Sequence, residues 1–129
     1  MIKEIVSGDM IFAIIADASD CTEGIQPLTD SAWPLQALMR AHKKGHRVAA
    51  HAHKEVSRVT KRLHEGLVVI SGTLRARIFD TKRKEIGVYD VLPGQCLLML
   101  NGGHEIEVIN DAVVYEFKNG PYVDDKIFY

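Results

Sequence analysis

The chain is interrupted by turn residues too often to be built from helices. Apolar, β-branched and aromatic residues gather into short runs at 10–16, 35–41, 67–70, 74–79, 86–91, 96–100, 104–109 and 113–118. The joints hold Lys44-Gly45, Ser71-Gly72, Asp80-Thr81, Pro93-Gly94, Asn101-Gly102-Gly103 and Asn110-Asp111, residues that accept tight or left-handed backbone. Runs of this length between such joints read as strands connected by hairpins, and their spacing predicts an all-β sandwich or barrel.

At 129 residues and 47% hydrophobic, the chain has apolar material for one core and is read as a single domain, 1–129. The apolar run 10–16 is too short to span a bilayer, and Lys3, Glu4 and Asp9 do not suit a signal peptide, so a cytoplasmic protein is expected. Cys21 and Cys96 lie far apart with no CxxC spacing and read as free thiols. A net charge of −1 with interleaved signs gives no electrostatic case for nucleic acid or for an anionic membrane surface, which leaves small molecules as the expected partners. A homodimer paired through the strand at 10–16 is also expected, since that apolar segment would otherwise form a bare sheet edge.

One stretch, HAHKEVSRVTKRLHEGLVVISG at 51–72, resists the strand pattern. Residues 49–65 are rich in helix formers, and Val56, Val59 and Leu63 fall at i, i+3 and i+7. On a helix His51 and His53 would diverge; on a strand alternate side chains share a face, and the two imidazoles could serve one ion. Propensity and period leave both open.

The wider pattern resembles the cupin superfamily. Gly45, His51, His53, Glu65 and Gly72 occupy the places of its first motif, and Gly87, Pro93 and His104 look like the glycine, proline and histidine of its second, with Asn110 near the final asparagine. The segments KKGHRVAAHAHK, HEGLVVISG, LPGQCLLMLNGGHEIEVIND and YEFKNGPYVDDK are similar to a subgroup of small single-domain bacterial cupins. That subgroup carries a long insertion with an arginine, matched by Arg58. It ends on an element matched by Glu116, Lys118, Gly120, Pro121 and Tyr122, and its members tend to be encoded with surface-polysaccharide and nucleotide-sugar genes. The resemblance implies a double-stranded β-helix, or jelly-roll, barrel. On that reading 1–34 is an N-terminal strand and connection, 35–118 the barrel core and 119–129 a tail packed along the outside.

If the barrel forms, strand parity turns His51 and His53, then Glu65 with Leu67 and Val69, then His104 with Ile106 and Val108, toward its interior. Three imidazoles and a carboxylate suit a divalent transition metal, and Mn, Fe, Ni, Co and Zn all fit the donor set. His46 and His64 have the wrong parity, read as solvated and are left out with His42. The basic run Lys54, Arg58, Lys61 and Arg62 reads either as a solvated loop or as a cover over the barrel mouth, with Arg58 gripping an anion through its guanidinium fork. Arg47 shares parity with the two histidines and could enter the cavity to meet a substrate anion. Trp33 fills a core rim or stacks on a sugar. Glu116 and Lys118 share a face as an acid and base pair or as an exposed ion pair.

Together these expectations describe a metal-dependent isomerase or epimerase acting on a small anionic sugar derivative in polysaccharide biosynthesis. Its metal would sit on His51, His53, Glu65 and His104, its substrate on Arg47, Arg58 and Trp33, and its proton transfer on Glu116 and Lys118. The alternatives are a non-catalytic sugar- or metal-binding module and an Fe(II)-dependent oxygenase.

Overall fold

In the computed structural model, which describes residues 2–129, the strands follow in the order β1 (Ile2–Ser7), β2 (Met10–Asp17), β3 (Gly24–Pro27), β4 (Leu38–Ala41), β5 (Glu65–Phe79), β6 (Glu85–Val91), β7 (Gln95–Met99) and β8 (Gly103–Lys118). All their pairings are antiparallel. The all-β architecture expected from the turn punctuation is therefore the one formed, with a single 3₁₀ turn at Ala18–Asp20 among the described residues. No helix among them is long and apolar enough to cross a membrane. The stretch 49–65 is not a helix, and until Glu65 it is not a strand either.

Six strands make one sheet. Its path is β1-β2-β7-β5-β6, with β8 paired to β5; β3 and β4 form a separate ribbon. Among the described residues β1, β6 and β8 each have one neighbour, so the strand pairs do not close into a ring. β2 has neighbours on both flanks, β1 and β7. Residues 10–16 are therefore not the bare edge expected from their apolar sequence; on that side of the sheet the edge is β1, which removes the ground for pairing two copies through 10–16.

β5 and β8 are the longest strands, at 15 and 16 residues, and they pair along almost their whole length. β5 meets β7 through Glu65 to Val68 and β6 through Leu74 to Phe79. Between those halves the β5–β8 register shifts three times, at Val69/Ser71, Ser71/Thr73 and Thr73/Leu74. Bulges of this kind bend a strand and change which face its side chains take. The parity shows it: Leu67 and Val69 are buried before the shift, Leu74, Ala76 and Ile78 after it, and all five belong to one core with Phe12, Ile15, Val91, Leu97 and Met99. A regular strand would send the odd and even sets to opposite faces. Gly72 makes the bend possible. Its φ is +80°, and a Cβ there would lie 2.2 Å from the Asp111 carbonyl oxygen on β8.

A second core covers the other face of β2 and β7. Ile14, Ala16, Leu98 and Leu100 pack there with Leu28, and Trp33, Leu35 and Met39 close over them from the segment that holds β3 and β4. His64 belongs to this layer. It is 3% exposed, with its ring edge-on to Trp33 at 6.2 Å, which overturns its reading as a solvated residue. Its parity, away from Glu65, is as expected; the face it turns to is covered rather than wet. Its Nδ1 has no hydrogen-bond partner, and burial, helped by the Arg62 charge, holds the imidazole below its ordinary pKa.

Two outcomes follow. Gly72→Ala should lower stability to urea by about 2 kcal/mol or more, from strained backbone and the clash with β8. Because the folded state depresses the His64 pKa, its contribution is fully present above the imidazole value of the unfolded chain and is lost as pH falls below it. Thermal melts between pH 8 and 5 should show that loss, with a smaller pH slope in His64→Gln.

Candidate functional site

The two halves of the bent ribbon bring its ends together. Glu65 opens β5, while His104 pairs with Ile78 near the other end of the same strand. Along an unbent strand those positions lie about 43 Å apart. In the fold, His104 Nε2 is 3.6 Å from Glu65 Oε2. Lys118, the register partner of Glu65 on β8, places Nζ 3.9 Å from the other carboxylate oxygen, and the same Nζ is 3.3 Å from Glu116 Oε2. Glu116 pairs with Leu67, so Glu65, Glu116 and Lys118 share the inward face of the ribbon.

Electrostatics divides the roles within this cluster. The Glu65 side chain is 15% exposed, whereas those of His104 and Lys118 are each 32% exposed. Burial pushes the His104 pKa down, against the opposing pull of Glu65 and Glu116, so the imidazole is held neutral near pH 7. Glu65, followed by Glu116, pushes the Lys118 pKa up, which keeps it an ammonium. A neutral imidazole and a firmly charged amine flank one carboxylate. The His104 to Glu65 separation is longer than a hydrogen bond, leaving the imidazole nitrogen free to engage another group.

Two asparagines hold the approach to Glu65. Asn119, just after β8, accepts from the His64 backbone N–H at 2.8 Å and donates to Thr60 Oγ1 and the Arg62 carbonyl. Asn101 donates to the Ile11 carbonyl at 2.7 Å and accepts from the Arg62 guanidinium. The sequence shows both only as turn residues beside glycine, and nothing in their spacing announces a clamp.

The cluster opens on a cavity of about 880 Å³, within the range of small-molecule sites. Glu65, Met99, Asn101 and His104 form part of its wall, and residues 125–129 form another part. The tail expected along the outside thus ends over this cavity. Tyr129 stands edge-on to Phe79 at 5.5 Å, with the Arg83 guanidinium 4.8 Å from its ring centre. Gly103 makes room for it, since a Cβ there would lie 2.3 Å from the Tyr129 hydroxyl.

Other residues named from the sequence lie elsewhere. His51 and His53 are adjacent, with ring centres 5.1 Å apart, but they sit on an irregular arm whose residues 42–62 are all exposed. The parity that would have aimed them inward applies to a strand, and there is none at 42–64. His51 Nδ1 is 2.7 Å from the Ala49 carbonyl of its own arm. Among the described residues no group of three or more histidine, cysteine, aspartate or glutamate side chains is gathered as a metal shell. Glu65 with His104, and His51 with His53, stand as two separate pairs. Arg47 and Arg58 lie on the exposed arm, where Arg58 donates to the Val56 carbonyl, and Trp33 packs in the second core. Arg83 is not legible in the sequence, because a turn arginine between two strands carries no periodic signal. Cys96 is not a nucleophile candidate: burial pushes its thiol up to about 11.

Comparison with protein-family models gives no match, and neither does comparison with curated proteins or with solved structures.

Gly103→Ala should expel the Tyr129 ring from its seat. The nuclear Overhauser contacts between Tyr129 and Phe79 should vanish, and the segment after Lys118 should become cleavable by protease while the sheet persists.

Proposed function

We propose that this chain is a cupin-type protein, a jelly roll whose two layers are the halves of the bent β5–β8 ribbon with their neighbours. We further propose that it works as an acid–base enzyme of the isomerase or epimerase kind on a small anionic sugar derivative. The observation that carries the reading is the convergence of His104, Glu65, Lys118 and Glu116, of which His104 and Glu65 line the cavity and Lys118 and Glu116 stand behind Glu65. The motif resemblance supplies the sugar context.

Isomerisation beside a carbonyl needs a base to take a proton from carbon, a cation near the oxygen that gains charge, and a group to return the proton. Neutral His104 is the base, its Nε2 facing the cavity side of Glu65. The Glu65 carboxylate, 3.6 Å from that nitrogen, stabilises the imidazolium that forms. The Lys118 ammonium, held beside Glu116, stabilises the developing oxyanion, and the His104 imidazolium, after exchange with solvent, returns a proton to carbon. Placed as they are, His51, His53, Glu65 and His104 do not make up one metal shell. A divalent transition metal belongs to this reading only if the arm carries His51 and His53 to the Glu65–His104 pair. The proton path above uses protein groups alone.

The test is deuterium exchange. Keto-sugars and their phosphate esters incubated with the protein in heavy water should gain deuterium at the carbon beside the carbonyl, read by proton NMR. His104→Gln should slow exchange by about 10² to 10⁴, and Lys118→Met by a similar factor. Exchange that proceeds undiminished in folded His104→Gln overturns the assignment. Saturable binding of such sugars with no exchange in the wild type would instead identify a binding module.

A further inference from the structure

The sheet answers its exposed arginines with carboxylates, yet it leaves the cations of the cavity unanswered. On the outer face of the ribbon Arg75 bonds Asp90 at 2.8 Å, and Arg77 bonds both Glu85 at 3.0 Å and Glu105 at 3.2 Å. In the cavity, Arg62 donates to the neutral amide of Asn101, Arg83 lies over the Tyr129 ring, and Lys126 takes part in no ion pair among the described residues. Glu65 and Glu105 also line the space but are occupied, the first with His104 and Lys118, the second with Arg77. Asp125 acts on Lys118. Three cations thus face one concave space without a carboxylate partner, and a cleft of that kind concentrates anions.

Arg83 is also held ready. Its φ of 68° is in the left-handed region, uncommon for a side chain of this size. The turn around it is fixed: Asp80 Oδ1 accepts from the Lys82 and Lys84 backbone N–H groups at 2.8 and 2.9 Å, and the Arg83 N–H donates to the Asp80 carbonyl. A guanidinium presented from a fixed turn, with its face on an aromatic ring, keeps its N–H edge free for a planar, bidentate acceptor.

We propose that Arg62, Arg83 and Lys126 form an anion site that takes the phosphate ester of a phosphorylated sugar, with the Tyr129 and Phe79 rings against the apolar face of the sugar. The proposal rests on the function proposed above, whose substrate it narrows, and it moves the anion contact from Arg47 and Arg58 on the arm to the cavity. Three cations match a dianionic phosphate better than a single carboxylate, and aromatic rings beside them suit the C–H face of a pyranose.

The experiment is calorimetric titration of the full chain with inorganic pyrophosphate and with glucose 1-phosphate, and with uncharged glucose for comparison. Both anions should bind saturably, and glucose far more weakly. Arg62→Ala and Arg83→Ala should each weaken the anions about tenfold or more, while Arg47→Ala and Arg58→Ala leave them unchanged. Arg83→Gln replaces Arg83→Ala if the latter does not fold, as judged by circular dichroism. His104→Gln should bind both anions as the wild type does while losing proton exchange, so a failure of the chemistry is told apart from a failure of the anion site. Absence of saturable binding, binding unaffected by the cavity substitutions, or loss through Arg47→Ala or Arg58→Ala instead, each overturns the proposal.

Discussion

The tight contact between Gly72 and β8 governs the rest of the molecule. A side chain at residue 72 would strike Asp111 and Ala112, and without one the β5–β8 ribbon can shift its register and turn back on itself. The turn lets residues of opposite parity share a core, giving each half of the ribbon an apolar lining that a flat sheet of the same sequence would split between two faces. It also creates two outer faces with different fates. Beside the half nearer Glu65, β7 has its outer face roofed by the segment bearing Trp33, while Val113, Tyr115 and Phe117 on β8 stay exposed; the half nearer Phe79 is left to water and carries the arginine–carboxylate ladder.

The same bend makes the candidate site. Its charged residues are at the ends of the ribbon, where apolar packing gives out and the cavity begins. That placement settles the electrostatic problem of holding a carboxylate at low exposure: Glu65 is desolvated on one side by the core and compensated on the other by the Lys118 ammonium. The residues proposed to move protons and those proposed to hold an anion arrive from different elements. The former lie on strands, the latter on the turn after β5, the strand entry at Arg62 and the C-terminal segment.

Much of the sheet is legible in the sequence because hairpin turns declare themselves through glycine, asparagine and proline, and because burial alternates within short strands. That Glu116 and Lys118 share a face is readable from parity alone, whereas their place beside Glu65 comes from the β5–β8 register. Parity fails wherever the backbone is not extended, and His51 and His53 show the consequence: the two-residue spacing that aligns side chains on a strand implies nothing on an irregular arm. His64 shows a second limit, since parity states that it points away from Glu65 but not that a roof of Trp33 and its neighbours lies on that side. Arg83 and Tyr129 are invisible for a third reason. Their meeting is a contact between a turn and a distant terminal segment, and neither has a local pattern.

The proximity of His104 to Glu65 also ties chemistry to the history of folding. The two residues are 39 positions apart in the chain, and the pairing and bending of the ribbon bring them within 3.6 Å. Contacts of that separation pay their loop-closure entropy last and consolidate late on the route to the native state. A partly assembled chain can hold its hairpins and still lack any competent pair of ionisable groups. The proposed chemistry is therefore a property of the finished fold, and a half-made copy would lack it.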